Sequence, residues 1–207
     1  MPRSALPAKQ RREMIMDVAY ELFTTKGYQN TTIEDILRGA DIAKGTLYHH
    51  FRSKEQVLEG IIDRTVQQIT EHAQLAAASA PNPVEGLLGV IGSARVAGEH
   101  DAMVAQFHAP GNSEPHLMSL VRTVNALAPI LAGVVEEGVA AGMFTCAHPL
   151  EYSELLLTSG FILTDSGVFP TTPENAERRL AGAIAAAEAL FGCVPGTLSP
   201  LMTSGRP

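Results

Sequence analysis

From residue 8 to residue 191, apolar side chains return every three to four positions, and no stretch alternates β-branched with polar residues over the length of a strand. That period turns one face of each segment inward only if the backbone is helical. The chain is therefore read as all-α, with about nine helices. Ile15, Val18, Ala19, Leu22 and Phe23 form the first apolar stripe, on a helix over about residues 8–25 that Gly27 stops. Ile33, Ile36, Leu37 and Ala40 form the second, with Thr32 as N-cap and Asp35 completing a short form of the capping box. A tight turn at Asp41 leads into a brief third helix near 43–50. The fourth opens at Ser53 with Gln56 placed for a capping box, then runs through Val57, Leu58, Ile61, Ile62, Val66 and Ile69 to about residue 78.

Composition changes at "SAPNP", residues 79–83, after which charge thins and alanine and glycine rise. Five more helices are expected, over about 84–98, 101–108, 115–141, 149–166 and 174–191. The division that follows is an N-terminal module over 1–54, a larger helical domain over 55–192 and a flexible tail over 193–207, with helix 53–78 as the connection. Residues 1–54 carry nine Lys/Arg against six Asp/Glu, a net of +3, and the remainder carries six against sixteen, a net of −10. A basic module on an acidic body suits a protein whose small part meets a polyanion.

Hydrophobic residues make up 45% and charged residues 18%, the balance of an ordinary globular chain. Apolar runs such as "LLLTSGFIL" are far short of a membrane span, and "MPRSALPAKQRREM" lacks the apolar core of a secretory signal, so a cytoplasmic protein with no membrane partner is expected. Cys146 and Cys193 suggest neither a disulfide framework nor a metal site. His100, His108 and His116 are not at metal-ligand spacing, and neither metal nor cofactor is expected. No nucleophile motif, phosphate-binding glycine loop or catalytic carboxylate pair is visible, so an enzyme is not expected.

The segment "KGTLYHHFRSK", residues 44–54, carries the most chemistry. On a helical wheel Leu47 and Phe51 share the inward side, while Gly45, Tyr48 and His49 turn away, flanked by Thr46 and His50. Glycine inside a helix costs about 1 kcal/mol relative to alanine, and close approach of a partner surface to the backbone is one reason to keep it. Two short helices joined by a tight turn, the second bearing small polar and aromatic groups, form a helix-turn-helix suited to duplex DNA. Thr46, Tyr48 and His49 have the chemistry to meet bases or phosphates. Lys44 and Lys54 bracket the face and suit phosphates, as do the amides at the starts of the second and fourth helices.

The run Gly45, Thr46, Leu47, Tyr48, Phe51 and Lys54, preceded by Gly27, Tyr28, Thr31 and Thr32, resembles the DNA-binding module of the TetR family of bacterial repressors over about residues 10–62. The resemblance implies that Thr32, Lys44, Gly45, Thr46, Tyr48, His49, His50 and Lys54 sit at DNA-contacting positions. It also implies a helical C-terminal domain that dimerises and binds an effector. Two positions depart from the family pattern. Asp41 stands where glycine is usual in the turn, and Ala43 stands where serine usually caps the recognition helix, so that Asp41 would have to cap from further back.

For dimerisation, the helix over 149–166 is apolar around most of its girth and the helix over 174–191 bears a stripe of Leu180, Ile184, Ala187 and Phe191. Leu156 and Ile162 with that stripe are the expected contacts of a four-helix homodimer interface. For the effector, Pro129 should kink or break its helix, and Arg95, Met103, Phe107, His108, Met118, Arg122, Asn125, Phe161 and Asp165 are the candidate lining of a small-molecule pocket. The expected function is a homodimeric regulator, a repressor by resemblance, that binds a palindromic operator and is released by the effector. A ligand-independent or partner-regulated DNA binder is the alternative.

Overall fold

The structure, a computed structural model, describes the backbone of residues 7–100, 113–165, 168–169 and 172–203, and the side chains of 7–93, 115–165, 168–169 and 172–201. The described residues form nine helices and no strand: α1 Ala8–Lys26, α2 Ile33–Ala40, α3 Lys44–His50, α4 Lys54–Ser79, α5 Pro83–His100, α6 Ser113–Ala140, α7 Pro149–Thr164, α8 Pro173–Phe191 and the single turn α9 Pro200–Thr203. The all-α expectation holds. The helix expected over 101–108 lies outside the described residues.

The described residues divide into two compact units, the first comprising residues 7–65 with 113–117 and the second the remaining described residues. The first boundary falls inside α4 at Thr65 rather than at 54, because Val57, Leu58, Ile61 and Ile62 of α4 are all buried. They close a core that Ile15, Met16, Ala19 and Phe23 of α1, Ile36 and Ala40 of α2, and Leu47 begin. Each of the larger side chains contributes about 1.5–3 kcal/mol by leaving water, and the alanines less. Met16 was missing from the expected α1 stripe. Val18 and Leu22, expected there, are half-buried and lie against Gly39 of α2, where a Cβ would meet Val18 Cγ1 at 2.7 Å.

Local signals set the helix ends. Gly27 stops α1 with φ 89° and its amide on Phe23 O. Asp41 caps α2 in the left-handed conformation (φ 51°, ψ 51°), its amide donating to the carbonyls of Arg38 and Leu37. A short polar side chain tolerates that conformation better than most non-glycine residues. At the start of α4, Ser53 Oγ accepts from Gln56 N at 3.3 Å, while Gln56 Oε1 accepts from Arg52 N at 2.8 Å, one residue further back than a standard box.

In the second unit α6 is the spine. It is apolar and long enough over Pro115–Ala140 to match a membrane span by length and composition, against the expectation that every apolar run falls short of one. Its inward side chains Val124, Leu127, Ala128, Leu131, Val134 and Val135 instead pack with Leu87 and Val90 of α5 and Ile184, Ala187 and Phe191 of α8. Pro129 does not break α6, and its exposed ring sits on the solvent side.

Two expectations are corrected here. Ile184, Ala187 and Phe191, assigned to a dimer contact, belong to this chain's own core, and Leu156 and Leu180 pack against it. Ile162 is half-buried. The stripe expected to face a partner is the one that faces in, because the larger side chains of α8 gain most from burial. The stripe left outside is Ala181, Gly182, Ala185, Ala186 and Ala189, all exposed, with Leu155 and Thr158 exposed on α7.

The second correction is the tail. Leu198 and Leu201 are buried, and the buried Glu188 carboxylate accepts the amides of Gly196 (3.0 Å) and Leu198 (2.7 Å). A Gly/Pro/Ser-rich composition marks a chain without regular structure, not one without anchors. The same segment brings Cys193, its thiol pushed up to about 11 by burial, Glu188 and Cys146.

Candidate nucleic-acid interface

Helix α3 is seven residues long, and Leu47 is the one it buries. Phe51, which ends it, is also buried and lies under the Arg12 guanidinium of α1, 4.8 Å from ring centre to Cζ. With Leu47 and Phe51 fixed inward, Gly45, Tyr48 and His49 are exposed and Thr46 and His50 half-buried, as the wheel required, and Lys44 is exposed as well. Lys44 Nζ lies 5.8 Å from the Tyr48 ring centre, one helical turn along the same face. The His49 and His50 rings meet edge to face at 5.1 Å.

His50 is held below the usual imidazole pKa, first by burial, then by His49, Arg11 and Arg12. The shift favours the neutral imidazole, which offers a hydrogen bond rather than a charge. Arg11 and Arg12 did not figure among the expected site residues. Their signal was the basic excess of the first 54 residues, which does not say where each charge points.

Gly45 is the most informative position on this face. A Cβ built there meets no atom within 4 Å, and the residue is not among the glycines with positive φ. Neither packing nor backbone conformation requires glycine. At Gly60, by contrast, a Cβ would meet Arg12 Nη2 at 2.9 Å and Phe51 Cε1 at 3.1 Å, so packing within the unit explains it.

Two of the expected DNA-contacting residues are engaged inside the protein. Thr32 caps α2 in a complete capping box: its Oγ1 accepts from Asp35 N (3.2 Å), while its own amide (3.0 Å) and hydroxyl (2.8 Å) both donate to Asp35 Oδ2. Lys26 Nζ donates to the same oxygen at 2.5 Å. The Lys26 bond, then the Thr32 bonds, hold the Asp35 carboxyl far below the usual range. Lys54, expected to reach outward to phosphate, turns inward. Its ammonium donates to Tyr28 O (2.9 Å) and Thr31 O (3.0 Å) and stands 4.3 Å over the Tyr28 ring. On α3 Lys44, Gly45, Tyr48 and His49 are thus exposed, with Thr46 and His50 half-buried beside them; Thr32 is exposed but committed to Asp35, and Lys54 is half-buried.

The candidate effector residues do not assemble as plainly. Met103, Phe107, His108 and the Arg95 side chain lie outside the described residues. Met118 and Arg122 are half-buried on α6 and Asn125 is exposed. Phe161 packs against the core cluster of the second unit. Asp165 closes the turn after α7, its carboxylate accepting Val168 N at 3.1 Å and its carbonyl accepting Phe169 N at 2.8 Å.

Comparison with known proteins places this geometry. Residues 15–61 match the family model described as bacterial regulatory proteins, tetR family. The HTH-type transcriptional repressor KstR2 of Mycolicibacterium smegmatis is 31% identical over 138 residues, 65% of this chain and 67% of that one. KstR2 of Mycobacterium tuberculosis is 33% identical over 100 residues, 48% of this chain and half of that one. Among solved structures, a TetR-family transcriptional regulator from Mesorhizobium loti superposes with a TM-score of 0.66 at 18% identity, covering 91% of this chain and 98% of its own. RolR in complex with resorcinol gives 0.65 at 17% identity, covering 97% and 95%.

Proposed function

The chain belongs to the TetR family of bacterial regulatory proteins, and from that premise we propose that it is a homodimeric, cytoplasmic repressor whose α3 helices dock in the major groove of a palindromic operator. That it is a DNA-binding transcriptional regulator and not an enzyme follows from the family and from its repressor relatives. In the proposed dimer the two α3 helices meet half-sites about 34–36 Å apart or somewhat more. The outward small-residue face of α8, with Leu155 and Thr158 of α7, forms the twofold contact.

A small molecule bound in the second unit releases the operator by favouring a dimer whose α3 spacing no longer fits. The complex of RolR, a protein of like fold, with resorcinol supports a small-molecule effector of this kind.

The observation that carries the DNA reading is the bare backbone at Gly45, a glycine that the protein's own structure does not need. A duplex edge pressed against α3 does need it. Gly45→Ala should raise thermal stability, since alanine gains about 1 kcal/mol of helix propensity, and should weaken binding to a duplex selected from a random pool by at least about tenfold, or 1.4 kcal/mol. Selected duplex bound equally well by parent and variant would show that α3 does not dock through this face.

A further inference from the structure

The ammonium of Lys54 joins two stretches of chain far apart in sequence. Its bond to Tyr28 O spans 26 residues and its bond to Thr31 O spans 23. The Thr31 carbonyl and the Thr32 amide belong to one peptide group. Lys54 holds the oxygen of that group, and Asp35 Oδ2 holds its N–H at 3.0 Å. The peptide that opens α2 is therefore clamped from both sides, by a cation at its negative end and an anion at its positive end. Lys26 completes the chain of charges on Asp35. A second tie runs the other way, from Tyr28 Oη to Glu55 Oε1 at 3.3 Å, one residue along α4 from Lys54. Thr31, itself buried, adds hydroxyl bonds to Gly27 O (2.8 Å) and Leu22 O (3.3 Å).

We propose that Lys54 is a positioning residue for DNA binding: it fixes the Thr31–Thr32 peptide, and with it the N-terminus of α2 against the first turn of α4, rather than neutralising a phosphate. The inference rests on the DNA-binding reading and deepens it. Two of the three ammonium donors are committed to carbonyls and the cation faces an aromatic ring. Only the third donor is left for a phosphate; a fuller contact would have to displace this seat on binding. A positioning residue keeps it in both states, so that α2, and the turn at Asp41 leading to α3, arrive at the duplex already placed.

The two roles differ in salt dependence. A lysine that neutralises one phosphate contributes about 0.9 to the slope of log affinity against log salt, whereas a lysine that only holds the protein together contributes nothing. The experiment measures binding of the full chain to a duplex enriched from a random pool, between 50 and 200 mM salt, for the parent, Lys54→Met and Lys54→Arg. Positioning predicts that Lys54→Met loses about tenfold at every salt concentration, with parallel slopes. It also predicts that Lys54→Arg does no better, because a planar guanidinium cannot take the seat of a compact ammonium between two carbonyls and a ring. A slope shallower by about 0.9 in Lys54→Met, or full affinity in Lys54→Arg, overturns it. Should circular dichroism show Lys54→Met to be unfolded, Lys54→Arg alone decides. If no duplex is enriched by the parent protein, the DNA reading itself fails, and the inference with it.

Discussion

Helices α3 and α8 each turn one face to their own unit and leave the other unused. On α3 the unused face is polar and open: Lys44, Thr46, Tyr48 and His49 around the bare backbone of Gly45. On α8 it is small and nearly featureless: Ala181, Gly182, Ala185, Ala186 and Ala189. The inward faces follow one rule, with large apolar groups such as Leu47, Ile184 and Phe191 taken out of water. The outward faces do not. A surface of donors and rings around an accessible backbone suits a polyanion with hydrogen-bonding edges. A surface of methyl groups suits another helix at close range, where little side-chain entropy is lost on contact. The chemistry of the outward face, more than that of the core, separates the two partners.

The comparison breaks first at α8. Ala185→Asp places a carboxylate in the proposed twofold contact, where an unpaired buried charge costs about 3–5 kcal/mol. Sedimentation should then give the 22.0 kDa of a single chain at concentrations where the parent runs at twice that mass, with helicity unchanged. A variant that stays dimeric moves the interface elsewhere. On α3, Tyr48→Ala should cost about 1–3 kcal/mol of operator affinity and leave sedimentation untouched, since Tyr48 is 44% exposed and absent from the core. Loss of dimerisation in that variant would mean that the two faces are not independent.

The smallest effect is at the caps. Both α2 and α8 open on threonine, Thr32 accepting from Asp35 N and Thr172 from Asn175 N. Both caps sit beside a carboxylate held below its usual range, Asp35 by Lys26 and Thr32 and Glu174 by Thr172. A depressed carboxyl stabilises the fold fully above the unfolded pKa of about 4, and that contribution is lost as pH falls through the lower folded value. Urea denaturation between pH 5 and 2 should therefore show Asp35→Asn losing less on acidification than the parent. Glu174→Gln, with no lysine partner to lose, should follow the parent more closely. Equal slopes in both variants would remove the Lys26 contribution.

Much of this could be read before any fold was known. The helices α1 to α4, the caps at Thr32 and Ser53, the stop at Gly27 and the inward pair Leu47 and Phe51 all rest on interactions between residues no more than four or so apart, and the sequence states such neighbours directly. For the same reason Gly45 stood out as a glycine in need of an explanation. Tertiary structure alone showed that no neighbour supplies one.

Three features needed the assembled chain. α8 has two apolar stripes, and periodicity cannot say which of them meets α6. Lys54 reads as a surface cation until Tyr28 and Thr31 are brought to it across 26 and 23 residues. Residues 193–201 read as a frayed end until the buried carboxylate of Glu188 takes up their amides. In each case a non-local partner sets the role of the side chain, so spacing along the chain determined the helices and contact between them determined what their faces do.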